Sequence, residues 1–421
     1  MALTVAIVGA GPAGCFLAQA LTKTLPECEV DLIDRLAVPY GLVRYGVAPD
    51  HQGTKSIVRQ FARLFEQGNV AFFGNLTLGV DFTIDELETL YDVVVIATGL
   101  TQDRSLHIEG EDINGVIGSG ELTRWWNDHP FSAGPAVLSG PNAVIIGNGN
   151  VAIDVVRLLA KTHDEFEGSD LGGHHLAGLA ESGIRHISVV GRSDAAYAKF
   201  DSVMIRELGR LQNVKIRVHD PLTANNDAQA QKLLDDLRTV DGSGSDQAEK
   251  TIEFHFGWTP VQLCGANGSL THARFTSTTG GEQMEIPCNS LIKAIGFEDS
   301  PSQSRNALID NAEDIASGKI AGSLYACGWF RRGPTGTIPE NRADAIVVAN
   351  RIGDDFATGK ISQGKPGRRE FARHHPHAVD YQGWKLIDAA EIAAAPPARC
   401  RQKISDHVQM LSIANGQAQQ V

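Results

Sequence analysis

Gly9-Ala10-Gly11-Pro12-Ala13-Gly14 and Gly147-Asn148-Gly149-Asn150-Val151-Ala152 decide the fold of this 421-residue chain. Each follows a short apolar run, residues 3–8 and residues 143–146, and each opens a segment of helical periodicity. In a strand–turn–helix unit the first glycine makes the tight turn and the second lets a pyrophosphate approach the backbone. The third small residue lets the helix pack closely on the strand. The helix start then offers unpaired N–H groups and a positive dipole end to phosphate. One such turn is a common signal, but two in one chain imply two dinucleotides, the arrangement needed to pass a hydride from one redox cofactor to another.

The residues around each turn separate the two sites. Residues 4–8 read as a buried parallel strand, 12–25 as the following helix, and 29–33 as a second strand ending in Asp34. An acid about 20 residues beyond the turn accepts hydrogen bonds from ribose hydroxyls and repels a 2′-phosphate, so this site suits FAD or NAD. At the second turn, 144–146 read as a strand and 150–161 as a helix with Val151, Val155, Leu158 and Leu159 on its buried side. The next strand, 187–190, ends in Gly191-Arg192, and a cation at that position favours a 2′-phosphate and hence NADP(H). Residues 162–183 lengthen this unit and read as a helix and loop inserted on the surface.

Composition excludes several classes. Charged residues make up 21% and hydrophobic residues 42%, ordinary for a globular chain of two or three domains. A net charge of −13 opposes nucleic-acid binding, since phosphate attraction needs a basic face. Cys15, Cys28, Cys264, Cys288, Cys327 and Cys400 are scattered without a C-x-x-C pair, which argues against an iron–sulfur site and a redox disulfide and fits a reducing cytosol. The apolar residues 1–21 lack a basic leader and are broken by glycines and Pro12, and no other stretch reaches a membrane-spanning length. The expectation is a cytoplasmic protein with no membrane or nucleic-acid partner. His174-His175 and His374-His375-Pro376-His377 lack Cys, Asp or Glu at ligand spacing, so no metal site is expected.

Asp92-Val93-Val94-Val95-Ile96-Ala97-Thr98-Gly99 resembles the strand that leaves the flavin domain in flavoproteins with two dinucleotide sites, which points to FAD at the first turn. Four further segments resemble adrenodoxin reductase and the bacterial ferredoxin–NADP reductases similar to it. They are Pro39-Tyr40-Gly41-Leu42-Val43-Arg44-Tyr45-Gly46-Val47-Ala48-Pro49-Asp50-His51; Phe73-Gly74-Asn75; residues 147–154; and residues 328–338, which begin Gly328-Trp329 and end Gly336-Thr337-Ile338.

The resemblance implies an α/β fold of two dinucleotide-binding, Rossmann-like domains, with the nicotinamide domain inserted in the FAD domain. The expected boundaries are 1–101 and 322–370 for the FAD domain, 102–321 for the NADP domain, and 371–421 for an extension packing on the FAD domain. It implies flavin contacts from Gly9, Gly11, Ala13, Gly14, Asp34, Leu42, Leu78, Gly99, Trp329, Gly336, Thr337 and Ile338. Nicotinamide-nucleotide contacts would come from Asn148, Gly149, Asn150, Val151, Arg192 and Gly336, and His51 with Glu207 would form the polar pair at the reacting rings. Gly336-Thr337 precedes a helix predicted through 343–351 with Pro339 near its first turn, which aims a helix N-terminus at the flavin.

The activity implied is electron transfer between NADP(H) and a ferredoxin-type iron–sulfur protein through FAD. Arg206 and Arg210, at i, i+4 on one helix, and Arg331 and Arg332 are the expected docking cations. Two departures bear on the nucleotide: the family's second arginine is Ser193 here and a glutamate of the next helix is Met204, so NAD(H) stays open and Lys199 is a substitute cation. Two other readings are a FAD-dependent NAD(P)H oxidoreductase using a small acceptor such as a quinone, and an electron-transfer subunit similar to the small subunit of glutamate synthase. The absence of cysteine clusters ahead of the first turn counts against the subunit.

Overall fold

Thr4–Val8, Glu29–Ile33 and Val93–Ile96 are short runs rich in β-branched residues, buried on both faces as central parallel strands are. In the computed structural model, which describes residues 2–66, 68–134, 138–220, 222–299 and 305–416, these strands form the centre of a six-stranded sheet. Its order is Lys319–Ala321, Leu324–Ala326, Val93–Ile96, Thr4–Val8, Glu29–Ile33, Val70–Phe73. All neighbours pair in parallel except Lys319–Ala321 with Leu324–Ala326. Helices Pro12–Thr24 and Ile338–Ala357 pack together on this unit.

The chain divides into two compact units, residues 1–47, 51–102 and 297–421, and residues 48–50 and 103–296. The first crossing thus falls at 102/103, beside the expected 101/102. The return falls at 296/297 instead of 321/322, because Lys319–Ala321 completes the first unit's sheet and the Lys319 ammonium is buried against Asp355 of helix Ile338–Ala357. The C-terminal residues share the first unit's core. Trp384, Ile387 and Met410 are buried in one cluster with Phe16, Tyr40 and Phe61. Glu391 forms a fully buried ion pair with Arg44.

The second unit has its own six-stranded parallel sheet, in the order Val116–Gly118, Ser290–Lys293, Asn142–Ile146, His186–Gly191, Lys250–Phe256, Val214–Val218. Helices Asn150–Ala160 and Ala228–Val240 bury their apolar stripes in this unit's main core. An antiparallel sheet of Trp258–Ala266, Ser269–Ser277 and Gln283–Pro287 shares a second core with the parallel strands through Val144, Ile146 and Val190.

Three local expectations change here. Val155, Leu158 and Leu159 are buried on their helix, but Val151 in its first turn is 36% exposed, at the open end of the strand–turn–helix unit. The insert at 162–183 is not merely superficial: it carries helix Gly173–Glu181 and buries Phe166, Leu171 and Leu176 in the unit's core. Helix Ser202–Leu208 ends before Arg210, so Arg206 and Arg210 do not share a helical face; the helix yields at Gly209.

Candidate functional site

The two glycine turns are built alike. Gly9 and Gly147 adopt φ 115° and φ 123°, left-handed values that favour glycine. A side chain at Gly9 would collide with the Ala97 carbonyl, and one at Gly147 with the Ala294 carbonyl. Each N–H donates to the end of the next strand, Gly9 to Ile33 O at 2.7 Å and Gly147 to Val190 O at 2.9 Å. Both turns lie where the first strand of the unit has neighbours on either side, the switch point at which open α/β sheets bind ligands.

The second glycine of each turn differs in kind. Gly11 and Gly149 have φ −73° and φ −101°, which any residue adopts. Among the described residues, a Cβ on Gly149 would meet nothing within 4 Å, and one on Gly11 only Gly41 Cα at 3.9 Å. Neither backbone strain nor packing calls for glycine there. What a side chain would do is fill the open space in front of the helix N-terminus, where a pyrophosphate lies in such units.

Around the first turn, Asp34 bridges turn and strand: its carboxylate accepts from Ala10 N at 2.8 Å and Leu36 N at 2.9 Å. Burial raises this carboxyl above the ordinary carboxylate range, with those two donors opposing. Each oxygen keeps a lone pair for a ribose hydroxyl. The 39–51 loop crosses directly over the turn, with Tyr40 N donating to Ala10 O at 2.8 Å and Gly41 at φ 44° too close to Gly11 for a side chain. This holds Leu42 40% exposed while Val43 and Tyr45 beside it are buried. Leu78 follows strand Val70–Phe73, in a segment joined to Asp34 by Leu76 N to Asp34 O at 3.0 Å. Gly99 follows Val93–Ile96. All these residues lie beyond carboxyl ends of the same sheet, and they fit an FAD: open turn, acid for the ribose, apolar surface for a ring.

The 328–341 segment closes on the same place. Gly328, at φ 69°, packs on Ala13 so closely that any side chain would strike it. Trp329 stacks on Phe297 at 5.7 Å and donates Nε1 to Thr335 O at 3.1 Å. Thr337 caps helix Ile338–Ala357 in a reciprocal box with Glu340, with Gly336 at φ 85° before it. The organising residue is Asp344, which the sequence reading misses. Its buried carboxylate accepts from Gly328 N at 2.5 Å and pairs with the guanidinium groups of Arg331 and Arg332. Arg331 also donates to Ile315 O and Ala316 O, and Arg332 to Thr335 O. Expected as docking cations, both are turned inward and spent on shaping this turn.

In the second unit, Asn148 donates Nδ2 to Ser193 Oγ at 2.8 Å, so the residue standing in place of an arginine secures the turn. Asn148 O accepts from Lys199 N at 2.9 Å, and Asn150 and Asp201 exchange hydrogen bonds at 2.8 Å. The side chains of Arg192 and Lys199 are exposed beside this frame. Glu207 lies 3.9 Å from Arg157, a guanidinium that also pairs with Asp50 and Asp154. Asp50, joined as well by Lys161, escapes a reading by spacing because Arg157 lies 107 positions further along the chain. His51 belongs to the first unit, as N-cap of Gln52–Lys55. Arg206 pairs with Asp236 at 3.2 Å, and Arg210 is exposed.

The buried thiols are unsuited to redox exchange. Burial pushes Cys28 up to about 11, Cys288 to about 12, and Cys15 and Cys327 further still. A thiolate nucleophile needs the opposite shift. Among the described residues no helix is long and apolar enough to cross a membrane.

With two largely parallel sheets and two open glycine turns in view, the chain belongs to the pyridine nucleotide-disulphide oxidoreductase family, whose profile matches residues 3–315. Within it, the chain is similar to cindoxin reductase of Citrobacter braakii, 44% identical over 98% of this chain and 91% of that one. It is 32% identical to the mitochondrial NADPH:adrenodoxin oxidoreductase of Arabidopsis thaliana over 92% and 90%. Its fold matches that of Mycobacterium tuberculosis FprA solved in complex with NADPH, with a TM-score of 0.90 at 30% identity over 99% and 100% of the two chains.

Proposed function

We propose that this chain is an NADP(H)-dependent flavoprotein reductase that holds FAD at the first turn and passes electrons to a small ferredoxin-type redox protein. One observation carries the reading: Gly11 and Gly149, free to bear a side chain on packing grounds, leave two helix N-termini open in one chain. The relatives, named as reductases of cindoxin and adrenodoxin, supply the class of acceptor. FAD, when bound, takes up a hydride as one unit and releases electrons singly.

The chain's own residues bind and orient. The first turns of Pro12–Thr24 and Asn150–Ala160 direct N–H groups at the two pyrophosphates, Asp34 takes the flavin ribose, and Leu42, Leu78 and Trp329 supply apolar walls. The N-terminus of Ile338–Ala357, at Gly336, Thr337 and Ile338, offsets negative charge on the ring it faces. Arg192, with Lys199 beside it, takes the 2′-phosphate, and Asn148 to Val151 hold the nucleotide backbone. His51 and Glu207 position the reacting rings, with Arg157 orienting the carboxylate. Arg206 and Arg210 are the remaining candidate cations for an acidic partner.

The test is optical. The purified protein should carry one FAD per chain, released on heating, and NADPH should bleach its absorbance under anaerobic conditions. A colourless, stably folded protein, or a yellow one that NADPH leaves unbleached, would contradict the reading.

A further inference from the structure

Asp128, His174 and His175 come together in the second unit although the acid lies 46 positions ahead of the pair (from 128 to 174). His175 Nε2 lies 2.7 Å from Asp128 Oδ1 and His174 Nε2 lies 3.4 Å from the same oxygen. The two imidazole centroids are 3.8 Å apart. Helix Gly173–Glu181 of the insert presents both rings, and the turn after helix Ser119–Trp126 presents the acid.

The electrostatics of the cluster call for a cation. The Asp128 side chain is 1% exposed, and its ion-pair partners among the described residues are these two imidazoles. Its second oxygen, Oδ2, is buried without a hydrogen-bond partner among the described residues. A buried carboxylate needs full compensation, and two imidazoles in ring contact resist being protonated together. A divalent ion would neutralise the carboxylate while keeping both rings neutral. Ligands about 2.0–2.1 Å from a tetrahedral zinc stand roughly 3.3 Å from one another. The 3.4 Å between His174 and Asp128 matches that value, the 2.7 Å of the His175–Asp128 hydrogen bond has to open by ~0.6 Å when an ion replaces the shared proton, and all three donor atoms lie within 4.8 Å. The outer side of the cluster is open, since the His174 side chain is 60% exposed, which gives an ion its entry and a fourth position for water.

We propose that Asp128, His174 and His175 form a divalent-cation site of the zinc type that clips the insert helix to the turn after Ser119–Trp126. Two histidines and a carboxylate suit zinc, cobalt or nickel better than the all-oxygen shells of calcium or magnesium. The sequence pattern conceals this site, because the acid comes from another helix.

The test uses the full, FAD-loaded chain with Cys400→Ser, which removes the exposed thiol as a competing ligand. After chelation and dialysis, Zn²⁺ is titrated calorimetrically and the unfolding temperature is followed. One Zn²⁺ per chain is expected, with a rise in unfolding temperature. His174→Ala, at an exposed position the fold tolerates, should weaken binding at least tenfold and abolish that rise, while His374→Ala changes neither. Absence of stoichiometric uptake at micromolar zinc, or less than tenfold weakening in His174→Ala, would overturn the proposal.

Discussion

Ser193 shows how one substitution redistributes work inside a site. Its hydroxyl accepts from Asn148 and so stiffens the second glycine turn, leaving Arg192 as the cation at the strand end. A charge-assisted hydrogen bond contributes about 1.5–3 kcal/mol. Arg192→Ala should therefore lower kcat/KM for NADPH by roughly 10- to 150-fold and leave NADH within a few-fold. Steady-state kinetics with both nucleotides checks this; equal loss with the two would remove Arg192 from the phosphate site. Asp344 is the other decisive residue. It pairs with two guanidinium groups that are mostly buried, so Asp344→Ala should destabilise the protein by about 3–5 kcal/mol in urea unfolding. A cost below about 1 kcal/mol would mean that the Gly328 turn stands without it.

Elements are legible in the sequence where a local signal suffices. The strands at 4–8 and 29–33, the helices after both turns, and the helix after Thr337 announce themselves through period, glycine and capping chemistry. The insert's buried helix and the strand Lys319–Ala321 do not, because their burial depends on distant partners. For the same reason Asp50, Asp128 and Asp344 escape a reading by spacing, while the glycine turns and Asp34, which sit at fixed offsets, do not. Strand Lys250–Phe256 adds a pH dependence. Ile252, Phe254 and Phe256 face the core, and His255, on the other face, stacks on His219 at 4.5 Å. Burial, then His219, lowers the His255 pKa to about 4, with Glu253 opposing. A depressed histidine pKa contributes stability above the unfolded value of about 6.5, lost as pH falls toward 4. With screening at this edge the loss should be about 1–2 kcal/mol. Urea unfolding at pH 7 and pH 4 should show His255→Gln losing less than the parent; an identical loss would contradict the assignment.

On the scale of the molecule, two units repeat one device, a glycine turn closed by the carbonyl of the adjoining strand and left open at its second glycine. The repetition suits a carrier of two dinucleotides, and in the proposed reading the different residues at the two strand ends, Asp34 and Arg192, set the dinucleotides apart. A net charge of −13 does not oppose an acidic partner, since steering depends on the local field. With Arg331 and Arg332 paired to Asp344, Arg206 and Arg210 are the cations we propose for docking. The central claim is that electrons from NADPH leave through a small redox protein. It is tested most directly by following cytochrome c reduction with NADPH while a ferredoxin is titrated in. The expected result is a saturable, many-fold stimulation that falls with rising salt. No stimulation by ferredoxin, with a quinone reduced rapidly under the same conditions, would contradict it.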